Sequence, residues 1–121
     1  MNQLEDVNFT EHSTTEDSKN SIYSFTPLHT AVFFSKQKLL KYLLQRNADA
    51  NYLDSTGSTP MHYVHRNKEP TETIDLLLEH NAFVLLKNNF MKTPIDNAEE
   101  WDKPEIVSEL LKKKKNKEVY Y

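Results

Sequence analysis

One phrase returns along this chain at nearly fixed spacing: Thr26-Pro27-Leu28-His29, Thr59-Pro60-Met61-His62 and Thr93-Pro94-Ile95-Asp96. The intervals are 33 and 34 positions (26 to 59, 59 to 93), a period at which chains stack small units side by side instead of closing one globular core. Each copy carries a second apolar segment, Leu39 to Leu44, Ile74 to Leu78 and Ile106 to Leu111. From the threonine to the closing leucine pair the distance is 17 in the first and third copies (26 to 43, 93 to 110) and 18 in the second (59 to 77). The extra residue is expected between Arg66 and Pro70, where a turn between two helices absorbs it.

The punctuation of each copy predicts a helix, a turn and a second helix. A threonine hydroxyl at the N-cap followed by proline at the first helical position starts a helix with its unpaired amides partly satisfied. In the third copy, Asp102-Lys103-Pro104-Glu105 reads as a capping box opening the second helix. Asn47 and Asn81 stand where these second helices should end, and asparagine is the residue that best replaces glycine in a left-handed exit. The string Asp54-Ser55-Thr56-Gly57-Ser58 is turn-rich and predicts a projecting loop between units.

Thr26-Pro27-Leu28-His29-Thr30-Ala31 and Leu43-Leu44-Gln45-Arg46-Asn47-Ala48-Asp49-Ala50-Asn51 resemble the ankyrin repeat unit, and the resemblance covers about residues 21–113. It implies an all-α solenoid of three stacked helix-turn-helix units with projecting β-hairpin-like loops, at about 21–53, 54–87 and 88–113. An acidic leader, 1–20, would precede the repeats, and a lysine-rich tail, 114–121, would follow. It also implies structural parts for Thr26, Pro27, His29, Thr59, Pro60, His62, Thr93 and Pro94, with the two histidines bonding backbone between units. Departures are visible: both exit glycines are asparagine, Asp96 stands in place of histidine, and Phe83 and Leu85 occupy usually polar finger positions.

Composition narrows the function. The chain contains no cysteine, so disulfides, thiolate metal sites and cysteine nucleophiles are excluded. No apolar run approaches the roughly 20 residues that span a bilayer, and the order of charges at the start is not that of a signal peptide; an intracellular protein, cytoplasmic or nuclear, is expected. The five histidines lack metal-ligand spacing, and no strand-nucleophile-helix frame or glycine-rich phosphate loop occurs. Neither catalysis nor a cofactor, metal or small-molecule substrate is expected. Lys112 to Lys115 and Lys117 invite a nuclear or nucleic-acid role, but lysines closing a final helix complement its dipole and solubilise a terminal repeat.

What remains is recognition of another protein. Within the ankyrin resemblance, the residues just before each threonine and at the end of each short helix point along the concave side: Ile22, Tyr23, Phe25 and Phe33; Ser55, Thr56, Ser58 and Arg66; Asn89, Phe90, Lys92 and Glu100. Four of these twelve are aromatic, and aromatics with arginine dominate binding hot spots. Tyr42 and Tyr63 read as packing residues and Trp101 as a lid over the last interface or, alternatively, an exposed anchor. The chain is expected to be a monomeric adaptor or inhibitor, masking a basic partner segment with its acidic core or scaffolding through the aromatics. Self-association through Phe33, Phe34 and Leu40 is the competing reading.

Overall fold

A computed structural model describes residues 26–117 of the chain. The helices run α1 (Pro27–Phe33), α2 (Gln37–Gln45), a 3-10 helix (Pro60–Arg66), α3 (Pro70–Glu79), α4 (Pro94–Glu100) and α5 (Pro104–Lys117), with no strand among the described residues. The short helices α1, 3-10 and α4 pack in one row, and the longer α2, α3 and α5 pack behind them. This is the expected all-α solenoid of three helical hairpins. The leader 1–20 lies outside the described residues.

Each short helix begins at its threonine. Thr26 and Thr93 accept the amides of His29 and Asp96 on their hydroxyls, at 3.3 and 3.1 Å. The side chains three residues on reach back: His29 Nδ1 accepts from the Thr26 amide at 3.3 Å, His62 Nδ1 from Thr59 at 2.9 Å and Asp96 from Thr93 at 3.0 Å. All three are capping boxes with proline in the first turn. Positions two and five after each threonine point inward, as Leu28, Met61 and Ile95 and as Ala31, Val64 and Ala98. Leu40, Leu44, Ile74, Leu77 and Leu110 complete the core from the second row, each stabilising the stack by about 1.5–3 kcal/mol through removal from water.

The middle unit leaves its short helix differently. In the first and third units, left-handed Ser35 and Asp102 (φ 59° and 56°) close the helix, and the next amides bond back at Lys36 to Ala31 (2.8 Å) and Lys103 to Ala98 (3.0 Å). Asp102 therefore closes α4 and does not cap α5. In the middle unit the helix is 3-10, and Asn67 follows it in extended conformation. The buried Asn67 amide donates to the Val32 carbonyl (2.9 Å) and to Gln37 Oε1 (3.1 Å), while its oxygen accepts from the Glu69 amide (2.7 Å) and the Thr73 hydroxyl (3.0 Å). The second helices start 11 positions after the threonine in every unit (26 to 37, 59 to 70, 93 to 104). The extra residue is therefore not in the turn between Arg66 and Pro70, as expected, but within α3, which has 10 residues against 9 in α2.

Three expectations need correction. Leu40 is fully buried, so it offers nothing to a second molecule. Tyr42 is not a packing residue: helical geometry aims Leu40, Leu43 and Leu44 at the core, leaving Tyr42 47% exposed with Arg46 over its ring. Trp101 is not a lid, being 53% exposed on the side of the short helices. Both helix-exit asparagines are left-handed as expected, with φ 69° at Asn47 and 70° at Asn81. Of the C-terminal lysines, Lys113 pairs with Asp75 at 3.0 Å and Glu109 at 3.5 Å, tying α5 to α3.

Candidate binding groove

Two fingers project beside the short helices. In the one before the 3-10 helix, the Asp54 carboxylate accepts from the Thr56 amide (2.8 Å), the Thr56 hydroxyl (2.7 Å) and the Ser58 amide (3.0 Å). In the one before α4, the Asn88 side chain accepts from the amides of Phe90 (2.9 Å) and Lys92 (3.1 Å). Asx turns of this kind hold a tight loop without a sheet. The fingers are linked by the Asn89 amide donating to the Thr56 carbonyl at 2.9 Å and by Asn88 Nδ2 donating to Ser58 Oγ at 3.0 Å.

A histidine suspends each finger. His29 Nε2 donates to the Ser58 carbonyl and His62 Nε2 to the Lys92 carbonyl, both at 2.9 Å. A carbonyl can only accept, so each Nε2 carries the proton and each Nδ1 is free to accept from its threonine amide. One neutral tautomer thus serves cap and ladder together. Burial pushes both histidines below their ordinary value, against the carbonyl bonds that raise them. Asp96, a carboxylate with no donor, makes the cap and cannot make the ladder.

Between the fingers and the short helices lies a groove of about 550 Å³. Its floor is aromatic and cationic. Phe33 ends α1, Arg66 ends the 3-10 helix, and Trp101 follows α4; Arg66 Cζ lies 4.7 Å from the Phe33 ring centre and 5.3 Å from that of Trp101. The guanidinium therefore lies over two ring faces. His65 stacks on Trp101 with centroids 5.4 Å apart and planes at 23°. Burial, helped by the Arg66 and Lys103 cations, pushes His65 down to about 4, so it stacks as a neutral ring at pH 7. Tyr63 packs edge-on against Phe33 at 5.7 Å and donates its hydroxyl to Asp54. Burial and that bond push the phenol up to about 12. At the rim Lys92 pairs with Glu100, and Phe90 is 66% exposed.

The structure gathers Phe33, Thr56, Arg66, Phe90, Lys92 and Glu100 around this groove. Ser55 and Asn89 are exposed on the finger edges outside it. Ser58 also lines the groove, but it is only 2% exposed and its oxygens accept from His29 and Asn88, so it shapes the wall more than it offers surface. Ile22, Tyr23 and Phe25 lie outside the described residues. Trp101, Tyr63 and His65 are groove residues that the sequence reading did not assign. For Trp101 the signal was at hand, because it directly follows Glu100 at the end of the third short helix. Among the described residues, no group of three His, Asp or Glu side chains could hold a metal, and no helix is long and apolar enough to cross a membrane.

Comparison with known proteins gives one answer. The family model for ankyrin repeats in three copies matches residues 28–120. An ankyrin repeat-containing protein of Schizosaccharomyces pombe is 38% identical over 65 residues, covering 54% of this chain and 30% of that protein. An ankyrin repeat protein of fowlpox virus is 27% identical over 106 residues, covering 88% of this chain and 67% of the viral one. The tyrosine-protein kinase Shark of Drosophila melanogaster is 36% identical over 87 residues, 71% of this chain but 9% of the kinase. The chain thus spans less than a third of the yeast protein and under a tenth of the kinase. Ankyrin repeats are in general non-catalytic protein-interaction modules. The capping boxes, the histidine ladder and the linked fingers are the physical content of that match, and the chain belongs to the ankyrin repeat family.

Proposed function

We propose that this chain is a non-catalytic binding module that docks another protein in the groove between its fingers and short helices, acting inside the cell as an adaptor or inhibitor. One observation carries the reading: Arg66 is exposed yet packed over the rings of both Phe33 and Trp101. Arginine and tryptophan are the residues most often found at the energetic centre of interfaces. Their fixed arrangement also lowers the entropy lost on docking. The groove's aromatic floor favours scaffolding through ring contacts over masking by the acidic core.

Photo-crosslinking tests the reading. A photoreactive residue replacing Phe90 should capture a partner that one replacing Tyr42, on the opposite row of helices, does not. Trp101→Ala should weaken that capture by about tenfold or more. Equal capture from both positions would place the binding face elsewhere.

A further inference from the structure

The Arg66 guanidinium lies over two aromatic rings and has no protein acceptor along its edge among the described residues. Its Cζ lies over the rings of both Phe33 and Trp101, and among the described residues no hydrogen bond or ion pair uses its N–H groups. Its neighbours on the groove are otherwise balanced. Lys92 is neutralised by Glu100, and His65 is uncharged at pH 7 because burial holds it near 4. Among the charged side chains that line the groove, Arg66 is therefore the one without an ion-pair partner, on a chain whose net charge is −3.

An arginine stripped of an acceptor and stacked on aromatic rings offers a planar fork of N–H donors, the shape complementary to a carboxylate. Side-chain entropy, the usual cost of forming such a pair, has largely been met already by the two rings. Exposed Phe90 stands at the same rim and supplies apolar surface beside the charge.

Resting on the reading of the groove as a protein-docking site, we infer that its occupant is an acidic peptide segment of a partner protein. A glutamate or aspartate carboxylate of that segment takes the edge of Arg66 as a bidentate pair, and an adjacent apolar side chain lies against Phe90. This reverses the expectation from overall charge, by which the acidic core would attract basic segments. The local field at a contact, over a Debye length of about 8 Å, outweighs the distant net charge.

The test uses the full chain and a displayed library of random dodecapeptides. Trp101, the only tryptophan, reports binding by its fluorescence. Selected peptides should share one acidic position beside an apolar residue, and changing that acid to its amide should weaken binding about tenfold. In an Arg66→Met chain the acid and its amide should bind alike, while Arg66→Lys, which keeps charge without the fork, should recover only part of the difference. Peptides that perturb Trp101 without a shared acid, or an acid dependence that survives Arg66→Met, would overturn the assignment and leave the groove reading standing. Peptides that leave Trp101 unperturbed and bind Trp101→Ala equally well would overturn both. A variant of the same chain with Glu5, Asp6, Glu11, Glu16 and Asp17 changed to their amides covers the remaining occupant. If only that variant selected peptides, the groove would be taken by the chain's own acidic segment, and a partner would not be its primary occupant.

Discussion

The finger before the 3-10 helix and the finger before α4 trace one turn with different residues at its tightest point. Gly57 (φ 76°) and Met91 (φ 63°) occupy equivalent places, three residues after Asp54 and Asn88, whose side chains organise the two loops. The left-handed backbone alone favours glycine at both. At position 57 there is a second constraint: a Cβ would come within 2.9 Å of the Asn89 side-chain carbon and 3.1 Å of the Asn89 amide nitrogen. The next finger lies against Gly57, whereas Met91 is 67% exposed. A left-handed position thus tolerates a side chain at a modest cost when it faces water, and excludes one when a neighbouring unit stacks on it.

Gly57→Ala should break the stacked finger most severely, by about 3 kcal/mol when backbone strain and the clash add, measured by denaturant unfolding. Adding Asn89→Ala should recover the clash and leave about 1 kcal/mol of strain; no recovery would mean that the fingers do not touch as described. Asp54→Ala comes next, at about 2 kcal/mol, because it strips acceptors from Thr56 and Ser58 and the partner from Tyr63, leaving donors unpaired. Asn88→Ala, with fewer dependants, should cost less.

Acid should loosen both fingers together, since each is suspended from one buried histidine. The folded state depresses the affinity of His29, His62 and His65 for protons, so the unfolded chain takes up more protons below the ordinary value of 6.5. Their contribution is complete above that pH and is lost as pH falls through each depressed value, which for His65 is about 4. The melting temperature should therefore drop between pH 7 and pH 5, and His62→Leu, itself destabilising, should show a shallower drop. The smallest effect is expected at the open finger: Met91→Gly should stabilise by about 0.5–1 kcal/mol by relieving the left-handed strain, with the groove peptides still bound.

Much of this architecture was legible because its signals are local. Each Thr-Pro pair starts a helix within its own four residues, and Asn47 and Asn81 end helices within one turn, so reading the string was enough. The 3-10 helix was not legible. It depends on Asn67, whose side chain reaches Val32 and Gln37 some 30 or more positions away, and no short-range pattern encodes a partner at that distance. The exposure of Tyr42 follows from the helical phase of Leu40, Leu43 and Leu44 and was there to be read, but the burial of Ser58 and the position of Trp101 were missed for the same reason as Asn67. Each is fixed by the unit stacked alongside.

The sequence by itself determined how many units there are, where each begins, and that His29 and His62 could bridge from one to the next. Only the tertiary structure decided which side chains meet across units. Arg66 lies 33 positions from Phe33 and 35 from Trp101, and it becomes a ring-stacked, unpaired cation because three helix ends are brought side by side. The physical reason is range: a cap is satisfied within one turn of helix, whereas a binding groove exists only when separate turns are stacked.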